Sequence, residues 1–114
     1  MRRPNNLATL YRQEKDPRAL DYFEKSYKLK PDSVAITDNL GWILVEQGKL
    51  ARGLELLRKA ATQAPDNPAV RYHLAVALAK SGEKDQARSE LERLLASKSD
   101  FPYRDEAQAL LKQL

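Results

Sequence analysis

Residues 31–64 read PDSVAITDNLGWILVEQGKLARGLELLRKAATQA, and residues 65–98 read PDNPAVRYHLAVALAKSGEKDQARSELERLLASK. Aligned, the two stretches repeat at an interval of 34 residues. Pro31-Asp32 returns as Pro65-Asp66, Gly48 as Gly82, and Leu40 and Leu44 as Leu74 and Leu78. The small residues Ala19, Gly53 and Ala87 extend the same phase backwards by one unit. A shared period of this length marks stacked supersecondary units, each burying its apolar face against its neighbours.

Within the middle unit, Leu40 and Leu44, then Leu50, Leu54 and Leu57, fall at helical spacing on either side of Gln47-Gly48-Lys49. The pattern predicts helix, tight turn, helix. Glycine suits the turn because a helix commonly ends on a left-handed residue, which glycine adopts without steric cost. Asn67-Pro68 and Asp16-Pro17 are good helix starts, with a side-chain oxygen for an orphan N–H and a proline where no donor is needed. Helices are expected near 3–15, 17–30, 34–47, 50–63, 68–81, 84–96 and 103–113. The 114 residues suffice for one all-α domain, 42% hydrophobic, with only four glycines.

A helix–turn–helix unit of 34 residues resembles the tetratricopeptide repeat (TPR) family. Leu40, Gly41, Leu44, Gly53, Leu57, Ala60 and Pro65 stand at the seven positions of that family's pattern, and Leu74, Ala75, Leu78, Ala87 and Leu91 match in the next unit. In the first unit Leu7, Ala8, Tyr11, Ala19, Phe23 and Pro31 match, with a slip that reads as a one-residue deletion before Asp16-Pro17. Departures occur at Thr37 and Arg71, where the family has tryptophan, at Leu94 in place of Ala, and at Ser99 in place of the closing proline. The resemblance implies a right-handed solenoid with repeats at 1–32, 33–66 and 67–100. Residues 102–114, with Ala107, Leu110, Leu111 and Leu114 on one side, then form a capping helix. The first helix starts near residue 1 with no lead-in turn like Pro31-Asp32-Ser33, so a piece of a longer array is expected. The stretches DPRALDYFEKSYKLKPDS, LGWILVEQGKL and ARSELERLLAS also resemble the C-terminal repeats of large bacterial TPR lipoproteins associated with exosortase-type sorting and exopolysaccharide export. That resemblance implies the cell envelope or periplasm; without it the cytoplasm is the expected compartment.

In such a solenoid the first helix of each unit lines a concave wall that binds peptides. Leu40 and Leu44 must turn toward the second helix, so the stripe holding Asp38, Trp42 and Val45 is expected to face the groove. Its equivalents are Asn5, Thr9 and Arg12 in the first unit and Tyr72 and Val76 in the third, with Lys80 beside them. Trp42 has two readings, an anchor for a partner's side chain or part of the core between repeats. Asp38 either accepts from a partner or contacts Arg71 or Tyr72. Some TPR domains clamp a C-terminal carboxylate, but here Asn5, Asp38 and Tyr72 occupy the main positions, and Asp38 would repel it.

His73 is the single histidine, expected to be partly exposed and without chemical company. With no cysteine, no His-x-x-x-His pair and no glycine-rich phosphate loop, neither an enzyme nor a metal or cofactor site is expected. The net charge of +4 is spread among both signs, the pattern of solvated helix faces, so nucleic acid is not an expected partner. No apolar run approaches the roughly 20 residues that span a bilayer, and no direct membrane contact is expected. Two functions remain: a scaffold binding another protein or peptide in its groove, or a structural spacer that self-associates into a homo-oligomer through exposed repeat ends.

Overall fold

The computed structural model describes residues 17–97 and 101–114, and the regular structure among them is helical. In chain order the helices are α1 (Pro17–Leu29), α2 (Val34–Glu46), α3 (Leu50–Gln63), α4 (Pro68–Lys80), α5 (Lys84–Ala96) and α6 (Arg104–Gln113). Each agrees with its expected span to within a residue at either end. The helix expected at 3–15, the shortened turn before Asp16 and the departure at Ser99 lie outside the described residues.

Local chemistry sets the ends. The Ile36 N–H donates to Ser33 Oγ at 3.3 Å, and the Val70 N–H donates to Asn67 Oδ1 at 3.2 Å with Pro68 following the cap. These caps open α2 and α4, the first helix of each hairpin. The hairpin turns close on Gly48 (φ 82°) and Gly82 (φ 85°). Around them the Lys49 N–H donates to the Leu44 carbonyl at 2.8 Å and the Glu83 N–H to that of Leu78 at 2.9 Å. These six-to-one bonds satisfy carbonyls that a helix end otherwise leaves orphaned.

The core runs along the stack as three successive clusters. Leu40, Ile43 and Leu44 of α2 pack with Ala19 and Phe23 of α1 and Leu56 of α3. Leu57, Leu74, Leu78 and Ala87 carry the core onward, and Ala75, Leu91, Leu94, Phe101 and Ala107 complete it beneath α6. Helices α2 and α3 pack tightly against each other at two glycines, Gly41 and Gly53. A Cβ on Gly53 would lie 2.8 Å from Val45 Cγ2 and 3.0 Å from the Gly41 carbonyl oxygen.

Each helix packs on its sequence neighbours, and α2 also reaches α4. The first helices of successive hairpins therefore lie side by side and form one wall. On the second helices, Arg52 pairs with Glu24 and Arg58 donates to Gln86 at 3.0 Å, two clamps of equal sequence separation linking α1 to α3 and α3 to α5. Helix α6 is pinned at both ends: Arg104 donates to the Ser97 carbonyl at 2.8 Å, and Arg88 to the backbone oxygen of Leu114 at 2.7 Å.

Candidate functional site

The wall made by α2 and α4 carries Asp38 and Trp42 on the first helix and Tyr72, Val76 and Lys80 on the second. Both sets follow the four-residue spacing that keeps side chains on one helix face. Between them stands His73. Its Nδ1 is 2.8 Å from Asp38 Oδ1, and the two side chains are only 7% and 12% exposed. The Trp42 ring stacks on the imidazole, with centroids 4.4 Å apart and planes inclined by 24°. Tyr103, at the entry to α6, lies 5.9 Å from His73 and stacks in parallel on Tyr72 at 5.0 Å. Trp42, His73, Tyr103 and Tyr72 thus form an unbroken aromatic strip from α2 across α4 to the start of α6.

Beyond the strip, α4 and α6 enclose a concavity of about 520 Å³. Val76, Ala79 and Leu110 supply apolar lining, while Tyr72, Glu106 and Lys80 add polar groups. Burial pushes the Tyr72 hydroxyl above its ordinary pKa, with the negative charge of Glu106 and the neighbouring Tyr103 acting in the same direction. A smaller concavity, about 280 Å³, lies among Pro65, Arg71, Arg93 and Phe101. Its Arg71 is committed to holding the fold, donating to Glu90 at 3.0 Å and to the Pro65 carbonyl at 2.8 Å.

Several expectations are corrected here. His73 is not partly exposed and isolated; it is 6% exposed and joins the two hairpins. Asp38 bonds His73, not Arg71, which turns away to Glu90. Val45 does not face the groove: it is 2% exposed and packs with Leu57 and Leu78, because the close approach of α2 and α3 draws this edge of the stripe inward. Trp42 packs between repeats, on His73, and remains partly exposed. Tyr72, Val76 and Lys80 line the α4–α6 concavity. Asn5, Thr9 and Arg12 lie outside the described residues. Sequence reasoning missed His73 and Tyr103 as site residues. For His73 a signal existed, since it directly follows Tyr72, the repeat equivalent of Asp38. Among the described residues no three His, Cys, Asp or Glu side chains gather to hold a metal, and no helix is long and apolar enough to cross a membrane.

Hairpins stacked around one core, with an inner wall formed by their first helices, define an all-α helical-repeat solenoid. A tetratricopeptide repeat model matches residues 44–114, more than half of the chain, and the chain belongs to that family. A TPR repeat-containing protein of Pseudomonas aeruginosa is 49% identical over 43 residues, 38% of this chain but 7% of that relative's length. The chain therefore matches only a small part of this much longer relative. Among solved structures, the first TPR of Spaghetti bound to an HSP90 peptide superposes with a TM-score of 0.79 at 18% identity, over 93% of this chain and 82% of that one. The type III secretion translocator chaperone SycD of Yersinia enterocolitica gives a TM-score of 0.80 at 21% identity, covering 94% and 77% respectively. At these identities the likeness shows the fold.

Proposed function

We propose that this domain is a non-catalytic protein-interaction scaffold that holds a peptide segment of a partner along the wall of α2, α4 and α6. The observation that carries the reading is the partly exposed aromatic strip of Trp42, Tyr103 and Tyr72, running into a concavity with apolar lining. Aromatic rings offer large contact area at low entropic cost, and binding grooves combine such anchors with a few polar groups. The solved tetratricopeptide structure bound to an HSP90 peptide supports a peptide as the class of occupant.

Trp42 is the only tryptophan, so its fluorescence reports directly on the groove. A peptide selected from a random linear library should shift this emission on titration. Calorimetry with Trp42→Ala and with Val76→Asp should show affinity lowered by about tenfold or more, the loss typical of an anchor. Full affinity in both variants would remove the groove from consideration.

The second reading, a spacer that self-associates, is favoured by α1, where Leu29 is 82% exposed and Tyr22 47%. Sedimentation over a range of concentrations decides it, since a monomer throughout leaves no support for stacking. The cell-envelope setting rests on the sequence resemblance alone, and fractionation of cells producing the parent protein tests it.

A further inference from the structure

The geometry points to a subsite for an arginine side chain beside Trp42, an inference that rests on the peptide-binding reading and names what the peptide must carry. Asp38 accepts through Oδ1 from His73 Nδ1 at 2.8 Å. A carboxylate only accepts, so Nδ1 carries the proton of this bond. Among the described residues no buried side-chain nitrogen or oxygen lacks a partner. The other carboxylate oxygen, Asp38 Oδ2, has no bonding partner there, so it reaches solvent at the wall of α2 and α4.

A carboxylate oxygen therefore sits beside an aromatic strip. Glu106 adds negative charge next to Tyr72, whereas Lys80 lies two turns further along α4, about 12 Å away by helical rise. The complement to this arrangement is a flat cation with several donors. A guanidinium fits: it stacks on aromatic faces while its N–H groups reach acceptors in its own plane. A lysine ammonium matches the charge but not the stacking, and a peptide carboxylate meets Asp38 at an energetic cost.

Peptides selected from a random linear library against the intact chain should be rich in arginine. For one selected peptide, affinity is measured with the arginine intact, replaced by citrulline, which keeps the shape and loses the charge, and replaced by lysine. The expected result is a loss of about tenfold or more with citrulline and a smaller loss with lysine. With Asp38→Asn, checked for native circular dichroism, arginine and citrulline peptides should bind alike. Because the citrulline exchange leaves the protein untouched, it decides the matter even if that variant fails to fold. Equal binding of arginine and citrulline peptides to the wild type overturns the arginine subsite and leaves the groove standing. Selection of acidic peptides does the same. If no peptide binds, the subsite and the groove fall together.

Discussion

Glycine serves two unrelated purposes in this chain, and substitution separates them. At Gly82 nothing lies within 4 Å of the point a Cβ would occupy, so only the positive φ resists a side chain. Gly82→Ala should cost about 1 kcal/mol, and Gly82→Asn less, because asparagine tolerates the left-handed region. Gly53 has the opposite character. Its repeat equivalents are Ala19 and Ala87, and helix propensity favours alanine by about 1 kcal/mol. Yet the new methyl would press on Val45 Cγ2 and the Gly41 carbonyl, and overpacking costs about 1–3 kcal/mol. Gly53→Ala should therefore lower the urea midpoint. Val45→Ala should offset part of that loss, giving a coupled pair, whereas Gly82→Ala and Val45→Ala should be additive.

Among the elements, α6 shows most clearly how a stacked fold distributes stability. It covers Ala75, Leu91 and Leu94, with Phe101 buried at its entry and Arg104 stacked 5.1 Å from that ring. Phe101→Ala should cost about 3 kcal/mol through lost burial and a residual cavity. Since each repeat contacts mainly its neighbours, hydrogen exchange should speed most in α5 and α6, with α1 and α2 least affected. Uniform acceleration across all helices would show that the domain opens as one unit. The lid is legible in the sequence from Ala107, Leu110 and Leu111 at helical spacing. Phe101 and Tyr103 are not, because they sit in the irregular segment before α6, where no periodicity marks an inward-facing residue.

For the molecule as a whole, the Tyr72–Tyr103 stack links α4 to α6 and makes alkaline stability a test of the site. Burial, then Glu106 and Tyr103, hold the Tyr72 proton more tightly than in the unfolded chain, whose tyrosines titrate near pH 10. The resulting stabilisation is complete below that pH and is lost as pH rises from there through the folded-state value. Urea midpoints should fall over this window in the wild type and fall less in Tyr72→Phe. The sequence by itself determined the 34-residue period, the helix spans, the glycine turns, the leucine core and the lid, because all of these are written in local spacing. Only the tertiary structure decided that Val45 turns inward and that Asp38, Trp42, His73 and Tyr103 meet. The repeat equivalent of Asp38 is Tyr72, but its bonding partner is the next residue, about 100° further around the helix. Repeat-equivalent side chains point the same way, so Asp38 reaching the next first helix must meet a residue that points back at it, a property of how two units pack that neither unit's own pattern records.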